Sequence, residues 1–335
     1  MKISRREWIG VSAAVVGSTG LSGPLRAASW SGRVLPQKAG QVRPVVTALD
    51  YQSERDWLVS AGDDHLVRVW RLSEGALLRR LEGHRDWVRT VAFVGDCTIA
   101  SAGNDRTARV WNLSEHSSVR PRVWFRASSP IVRLAVSPDR RWLAICCFSG
   151  EVHWFSLPEM KPSGRLAGEH RDLRCLAFSP DSRLLAFAGR DGTLRWIELA
   201  TARQGERKVS RARRRDLVFL TRRTLLSVGD DGKACWVDVG DDAGLVHDLR
   251  CERGRVFALA KLDERRIATA GSDNRIRIWN VEKREMEFEL AGHEGTVSAM
   301  CWTGRELVSA GYDTTVRVWS TSRPVATRPS PDARR

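Results

Sequence analysis

Residues 58–70 read Leu-Val-Ser-Ala-Gly-Asp-Asp-His-Leu-Val-Arg-Val-Trp, and this segment is the first of a series of similar segments along the chain. Two short apolar runs flank a Gly-Asp-Asp turn signal, which is typical of two strands joined by a tight turn. Six further segments share this form, three closely and three loosely: 99–111, 267–279 and 307–319, and 143–155, 185–197 and 225–237. Their ends lie 40 to 44 residues apart, which matches the period of about 40–45 residues of a four-stranded propeller blade. The sequence therefore predicts an all-β, seven-bladed β-propeller with four-stranded antiparallel blades.

Length and composition agree with a large folded domain. The chain has 335 residues, of which 42% are hydrophobic and 28% charged, and this excludes disordered and fibrous classes. Lys and Arg outnumber Asp and Glu by 55 to 40, a formal net charge of +15. An acidic protein, a nucleic acid or an anionic membrane surface are therefore the candidate partner classes. Seven Cys occur without a C-x-x-C motif, which argues against a disulfide scaffold and a zinc module.

The first residues have the layout of an export signal. A basic start containing Arg5 and Arg6 precedes a mildly apolar stretch rich in Gly, Ser and Ala, and small residues follow at Ala27-Ala28. Residues 4–9 resemble the twin-arginine export motif. We expect a signal peptide at 1–28 and a periplasmic or cell-surface location. An uncleaved membrane anchor, or a cytosolic start with a chance Arg pair, are the alternatives. Transport after cytoplasmic folding agrees with a fold that needs no disulfides.

Residues 31–321 resemble the WD-repeat (WD40-type) β-propeller family. The Gly-His pairs at 83–84 and 292–293 and the seven Trp-region ends carry this resemblance, although other residues replace the family's final Asp. The resemblance implies hydrogen-bonded tetrads of His, Ser or Thr, Asp and Trp, which would leave no buried polar group unpaired. Two blades have all four residues: His84, Ser101, Asp105 and Trp111, and His293, Ser309, Asp313 and Trp319. Two more lack only the His: Ser60, Asp64 and Trp70, and Thr269, Asp273 and Trp279.

Blades three to five depart from this pattern. Their Trp residues stand one position early, at Trp154, Trp196 and Trp236, so each ring should point to the opposite face of its sheet. In blades three and four the hydroxyl partner is also replaced, by Ile145 and Phe187. We expect apolar packing in these blades, whereas the Ser227 hydroxyl of blade five has no predicted partner.

Closure of the ring requires a strand from the N-terminal side. Only residues 322–335, predicted to be a disordered tail, follow the seventh segment, so the last blade lacks its fourth strand. Residues 33–39 precede the first inner strand, predicted at 45–51, and are expected to supply it. Pro36 would be tolerated there because the strand is an edge.

Reactive constellations are not evident in the sequence. No nucleophile elbow, phosphate loop or H-E-x-x-H motif occurs. The scattered His residues, among them His153, have no ligand-type neighbour at metal spacing, so we expect no catalytic residue, no cofactor and no metal site. Cys146 and Cys147 should point to opposite faces of a strand as buried hydrophobes. The inner strands hold only two carboxylates, Asp50 and Asp216.

A binding surface is expected where the loops entering the blades and the turns before the third strands crowd one face. Large aromatic residues and Arg are enriched at binding hot spots. The predicted surface residues are Trp87, Tyr312, Arg85, Arg171, Arg190, Arg214 and Arg215. The alternative is an Arg-rich composition spread over the whole surface, which Arg140 and Arg141 on the opposite face support.

These observations favour a non-catalytic protein-interaction scaffold. The expected molecule is an exported monomer that binds protein partners, including acidic ones, with no small-molecule substrate evident. The alternatives are an exported hydrolase-like propeller enzyme and a cytosolic basic scaffold associated with nucleic acid. Fold analogy alone does not choose among them.

Overall fold

The computed structural model describes residues 11–12, 29–36, 44–114, 119–168, 172–239, 247–251 and 254–322. These residues form strands and turns, and the described part of the chain has no helix. Seven antiparallel sheets follow one another along the chain and pack face to face in a closed ring. In every sheet but the last, the four strands neighbour one another in chain order, and the first is innermost. The all-β, seven-bladed propeller predicted from the repeat is confirmed.

The first four blades are regular four-stranded sheets. Blade one consists of β3 (Val46–Gln52), β4 (Trp57–Gly62), β5 (Val67–Arg71) and β6 (Ala76–Leu81). Blade two consists of β7 (Val88–Gly95), β8 (Thr98–Gly103), β9 (Thr107–Asn112) and β10 (Arg122–Arg126). Blade three consists of β11 (Ile131–Val136), β12 (Trp142–Cys147), β13 (Val152–Ser156) and β14 (Lys161–Leu166). Blade four consists of β15 (Leu173–Phe178), β16 (Leu184–Gly189), β17 (Thr193–Glu198) and β18 (Gln204–Lys208).

The last three blades include the closure of the ring. Blade five consists of β19 (Arg214–Phe219), β20 (Thr224–Gly229), β21 (Lys233–Asp238) and β22 (His247–Arg250). Blade six consists of β23 (Val256–Lys261), β24 (Arg266–Gly271), β25 (Ile276–Asn280) and β26 (Glu285–Leu290). Blade seven consists of β27 (Val297–Trp302), β28 (Glu306–Gly311) and β29 (Val316–Ser322), joined by β2 (Ser29–Val34) and, outside it, β1 (Val11–Ser12).

An N-terminal strand closes the ring, but it lies earlier in the chain than predicted. Strand β2 pairs antiparallel with β29 from Ser29 to Val34, so only two residues of the predicted range 33–39 belong to it. Trp30 is buried against Phe288 and Trp302, which anchors the strand at this register. Gly32 lies directly on the Trp319 ring, where a Cβ atom would be only 2.8 Å from the ring carbons. The predicted tail beyond residue 322 lies outside the described residues.

The hydrophobic core is divided into seven clusters, each between two neighbouring blades. A single blade cannot bury both faces alone, so stacking around the axis is what creates the core. Trp111 of blade two packs in the cluster shared with blade one, whereas Trp154 of blade three packs in the cluster shared with blade four. Trp196 and Trp236 likewise pack towards the following blade, so the predicted reversal of faces is confirmed.

A glycine on the outer strand makes room for two of these displaced rings. A Cβ atom at Gly164 would lie 2.1 Å from the Trp154 ring, and one at Gly205 would lie 2.6 Å from the Trp196 ring. These contacts join β13 to β14 and β17 to β18 without intervening side chains. The displaced Trp and the facing Gly therefore belong together as one packing unit.

Candidate binding surface at the channel mouth

One β-bulge recurs at the start of every inner strand. The pairing register slips between the first and third residues of each of these strands, so that the second residue is left bulged. A bulge re-aims a side chain, and all seven bulged residues are partly exposed. We call them the inner ring: Thr47, Arg89, Val132, Arg174, Arg215, Phe257 and Ser298. They surround one opening of the central channel because the inner strands line that channel.

A second ring surrounds the first. In each blade the residue after the second strand donates its backbone N–H to the carbonyl just before the inner strand, at 2.9 to 3.2 Å. This bond holds every such turn beside the bulge of its own blade. We call these residues the outer ring: Asp63, Asn104, Phe148, Arg190, Asp230, Ser272 and Tyr312. Phe148 and Tyr312 are among the exposed large hydrophobic residues of the described chain, with 43% and 52% of their surface accessible.

Three guanidinium groups at the mouth lie over aromatic rings. Arg89 lies 4.8 Å from the ring centroid of Trp87, and Arg174 lies 5.2 Å from that of Phe148. Arg215 lies 4.9 Å from the centroid of Phe257. Such contacts are attractive because the face of an aromatic ring is negative. They hold planar donor groups and apolar rings side by side around one opening.

Carboxylates neutralise part of this positive charge. Asp172 accepts hydrogen bonds from Arg174 Nε at 2.5 Å and from Arg213 Nη2 at 2.6 Å. Asp230 accepts two from Arg215, at 2.6 and 3.0 Å. These paired charges fix the geometry of the mouth and are less available to a partner.

Arg89 and Arg190 differ from these paired arginines. The Nε of Arg89 donates to the neutral Asn104 Oδ1 at 2.9 Å, and burial together with the nearby charge of Arg174 lowers the Arg89 pKa. Arg190 is exposed and, among the described residues, its guanidinium has no carboxylate partner. An anionic group at the mouth would therefore meet two cations that form no ion pair with a carboxylate of the described chain, although the charge of Asp86 acts on Arg89.

The predicted surface residues divide between this mouth and other places. Tyr312 and Arg190 belong to the outer ring, and Arg215 to the inner ring. Arg85 is exposed in the loop before blade two, and Trp87 is half-buried beneath Arg89. Arg171 lies outside the described residues. Sequence reasoning missed four residues of the mouth: Arg89, Arg174, Phe257 and Phe148. Their position in the repeat could have identified them. The first three are the second residue of an inner strand, and Phe148 directly follows the second strand of its blade.

Arg214 was wrongly placed on the surface. Its side chain is fully buried, with Nη1 donating to both oxygens of Asp231 at 3.0 Å. Its Nη2 donates to the carbonyls of Ser227 and Lys233, at 2.7 and 2.9 Å. In most blades an Arg on the third strand pairs with the Asp of the preceding turn, but blade five has Cys235 at that position. Arg214, on the inner strand of blade five, pairs with the turn residue Asp231 instead. The Ser227 hydroxyl is buried without a hydrogen-bond partner in the described structure.

The tetrad residues meet in blades two and seven. His84 contacts Ser101 Oγ at 2.7 Å through Nε2 and Asp105 at 2.9 Å through Nδ1, and Trp111 Nε1 donates to the same hydroxyl at 2.7 Å.

The equivalent contacts of His293 are 2.7 Å to Ser309 and 2.7 Å to Asp313, and Trp319 donates at 2.8 Å. Burial opposes ionisation of Asp313, yet the hydrogen bond and charge of His293 lower its pKa to about 2. In blades one and six the Trp–hydroxyl bond alone is present, at 2.9 Å in each. In blades two and seven these contacts hold the strands of the blade to the loop that enters it.

In blade three Ser149 stands at the position of the turn Asp, and Ser129 Oγ donates to Ser149 Oγ at 2.9 Å. Blade three also corrects one expectation of the sequence analysis. His153 does have ligand-type neighbours, because its imidazole, the Cys147 thiol and the Glu151 carboxylate have ligand atoms within 4.8 Å of one another. Cys146 and Cys147 are both fully buried and belong to core clusters on opposite faces, as expected.

The two inner-strand carboxylates connect neighbouring blades. Asp50 accepts the backbone N–H of Phe93 at 2.8 Å, and Asp216 accepts that of Leu259 at 3.0 Å. Asp216 also pairs with Arg133 at 3.1 Å, across a channel cavity of about 260 Å³. Burial raises the pKa of Asp216, and it raises that of Asp50 to about 6. Their hydrogen bonds to the adjacent strand give both carboxylates a structural role.

No helix of the described residues is long and apolar enough to span a membrane.

Comparison with known proteins agrees with this architecture. The family described as "WD domain, G-beta repeat" matches residues 36–71, 75–112, 160–197, 245–280 and 284–320. The gaps between the matches, at 113–159 and 198–244, cover most of blades three and five. The chain is 32% identical over 105 residues to "WD repeat-containing protein 26 homolog" of Drosophila melanogaster, covering 29% of this chain and 16% of the relative.

Two other relatives share shorter regions. "TSET complex member tstF" of Dictyostelium discoideum is 47% identical over 58 residues, 16% of this chain and 5% of the relative. "Ribosome biogenesis protein WDR12 homolog" of Nematostella vectensis is 36% identical over 64 residues, 17% of this chain and 15% of the relative. The matched regions thus span a fifth or less of these curated relatives. The repeat matches, which cover more than half of the chain, and the seven-bladed ring together show that it belongs to the WD40 repeat family.

Proposed function

We propose that this protein is a non-catalytic interaction scaffold that binds an acidic segment of a partner protein at the channel mouth. The observation that carries the proposal is the set of three guanidinium groups laid over aromatic rings around one opening. Arg and large aromatic residues are the types on which binding energy concentrates. An extended segment with carboxylate and apolar side chains fits a surface of this composition.

The charges of the mouth support an acidic ligand. Arg89 and Arg190 have no carboxylate partner in the described structure, whereas Asp172 and Asp230 hold the other guanidinium groups in place. Complementary charge increases the association rate and selects among partners. The rings Phe148 and Tyr312 add exposed apolar surface to the same mouth.

The hydrolase alternative has less support. A propeller enzyme working in the channel needs carboxylates free to exchange protons with a substrate. Asp50 and Asp216 instead accept backbone hydrogen bonds from the neighbouring blade, and Asp216 is paired with Arg133. Both carboxylates are thus used to join blades.

Binding of labelled peptides tests the proposal. The probe is a fluorescein-labelled, Glu-rich peptide containing one Trp, and its twin has every Glu replaced by Gln. We expect the acidic peptide to bind at least about tenfold more tightly, a difference of roughly 1.4 kcal/mol. Arg89→Ala and Arg190→Ala should weaken this binding, whereas Arg141→Ala, at an exposed site on the opposite face, should not.

Two outcomes would overturn the proposal. Equal affinity for the acidic and neutral peptides would remove the electrostatic basis of recognition. Tighter binding of a single-stranded DNA oligonucleotide than of the acidic peptide at the same salt concentration would favour the nucleic-acid alternative.

The N-terminal motif supports a second proposal, that the protein is exported by a twin-arginine-type route. All seven cysteines are free, so the propeller needs no oxidising compartment to fold. Replacing Arg5 and Arg6 by Lys keeps the charge but removes the motif, and should leave the protein in the cytoplasm. Arg26→Lys, outside the motif, is the matched control. Undiminished export of the double variant in cell fractionation would contradict this route.

A further inference from the structure

A cluster of three metal-ligand side chains lies in blade three, apart from the mouth interactions described above. Cys147 ends β12, Glu151 precedes β13, and His153 lies within β13. Alternate residues of a strand share a face, so the carboxylate and the imidazole point to the same side. The Cys147 N–H donates to the Glu151 carbonyl at 2.8 Å, which brings the thiol to that side as well. One sulfur, one nitrogen and one oxygen ligand atom consequently lie within 4.8 Å of one another.

No other blade has this set of residues. The position of Cys147 is glycine in the remaining six: Gly62, Gly103, Gly189, Gly229, Gly271 and Gly311. In blade two a Cβ atom there would lie only 2.0 Å from the Trp87 carbonyl oxygen. The position of His153 is Arg in five of the other blades: Arg68, Arg109, Arg195, Arg277 and Arg317. Blade three thus replaces a Gly and an Arg by a thiol and an imidazole at adjoining places.

The imidazole and the carboxylate are placed to accept an ion. The Nε2 of His153 is buried and makes no hydrogen bond within the described structure, and it lies 3.7 Å from Glu151 Oε2. Ser128 Oγ donates to that same carboxylate oxygen at 2.9 Å, which orients it from behind. Hydrogen bonds of this kind commonly position metal ligands. Glu151 is partly exposed, so an ion can reach the cluster from solvent.

The donor set selects the ion. Thiolate, imidazole and carboxylate are the ligands of tetrahedral Zn²⁺, at about 2.3, 2.0–2.1 and 2.0–2.2 Å. Ligand atoms at these bond lengths stand roughly 3.4–3.6 Å apart in a tetrahedron. The His153 and Glu151 ligand atoms are already 3.7 Å apart, and separations of up to 4.8 Å within the cluster must shorten by roughly 1 Å when an ion binds. Ca²⁺ and Mg²⁺ prefer oxygen ligands alone and do not fit a thiol.

We propose that Cys147, Glu151 and His153 bind one Zn²⁺ ion, with the fourth coordination position open to water. On binding, the thiol loses its proton to solvent and sulfur forms the Zn–S bond, while the imidazole and the carboxylate donate electron pairs. The ion joins the end of β12 to the start of β13. It also lies beside the turn that presents Phe148 at the mouth, because Phe148 follows Cys147 in the chain.

Titration with Co²⁺ as a spectroscopic substitute for Zn²⁺ tests this site. Metal-free, reduced full-length protein should bind one equivalent of Co²⁺, with a thiolate-to-cobalt charge-transfer band and tetrahedral visible bands that excess Zn²⁺ abolishes. Cys147→Ser should lose the charge-transfer band. Cys146→Ser, at the neighbouring buried thiol on the opposite face, is the matched control and should keep it.

Two further variants keep the test decisive if Cys147→Ser does not fold. Loss of an outer hydrogen bond to a ligand typically costs about 10–100-fold in metal affinity, so Ser128→Ala should weaken binding by that factor. Loss of a ligand itself should cost about 100-fold or more, the result expected for His153→Gln. Absence of the charge-transfer band at one equivalent, or unchanged binding by His153→Gln, would overturn the proposal.

Discussion

The hydrogen bond from Trp111 to Ser101 should be measurable as a difference between two Trp→Phe variants. Trp111 is fully buried and donates its indole N–H to Ser101 Oγ at 2.7 Å. Trp154 is nearly as buried, but its indole N–H has no hydrogen-bond partner among the described residues. Trp154→Phe is therefore a matched control, because both substitutions remove the same atoms from a core and only one removes a hydrogen bond.

The expected difference in unfolding free energy between the two variants follows from the contacts that remain at each site. Both variants lose similar packing, so this contribution cancels in their difference. Ser101 keeps its contact with His84 at 2.7 Å and is not left without a partner. The excess cost of Trp111→Phe should then be that of one buried hydrogen bond, about 1 kcal/mol. In a domain of this size that corresponds to a further fall in Tm of roughly 1–2 °C.

Equilibrium urea unfolding, followed by tryptophan fluorescence and circular dichroism, measures both free energies of unfolding. A double-mutant cycle of Trp111→Phe with Ser101→Ala should give a coupling energy of about 1 kcal/mol. If Trp111→Phe and Trp154→Phe cost the same, or if the coupling is zero, then the Trp–hydroxyl bond adds no net stability. The complete tetrads of blades two and seven would in that case stabilise the propeller by packing alone.

Three further predictions concern closure, a buried ion pair and pH. Gly32→Val should lower the Tm by differential scanning calorimetry, because its side chain would collide with the Trp319 ring, whereas Ser31→Val at an exposed position should not. Arg214→Met should cost about 3–5 kcal/mol in urea unfolding, because it leaves the Asp231 carboxylate without its buried partner; an unchanged stability would contradict this. Burial raises the pKa of Asp50 to about 6, so its ionisation destabilises the fold above that pH and the penalty disappears as the pH falls from 6 to 4. The stability advantage of Asp50→Asn should accordingly grow between pH 4 and pH 7, and a difference independent of pH would contradict it.

Much of the fold could be predicted from the sequence because its signals are local and repeated. Each Trp-region segment specifies two strands and a turn, and seven segments at one period leave few alternatives to a ring of blades. The opposite orientation of Trp154, Trp196 and Trp236 could also be predicted, because side chains along a strand alternate between its two faces and these residues stand one position early. The register of the closing strand could not be predicted from the sequence, because it depends on how Trp30 and Gly32 contact residues about 290 positions later in the chain.

The binding surface and the metal-ligand cluster depended on tertiary structure. The repeat pattern predicts that the loops entering the blades share a face, and the composition shows that they are rich in Arg. Only the packed ring decided that Arg214 turns inward to Asp231 while Arg89 and Arg174 turn outward over aromatic rings. Charge and composition do not distinguish these arginines, and the bulge that reverses a side chain is set by pairing with the neighbouring strand. His153 looked isolated for the same reason: its partner Cys147 is brought to it by the fold of the hairpin, and side-chain distance, which decides coordination, exists only once the strands have paired.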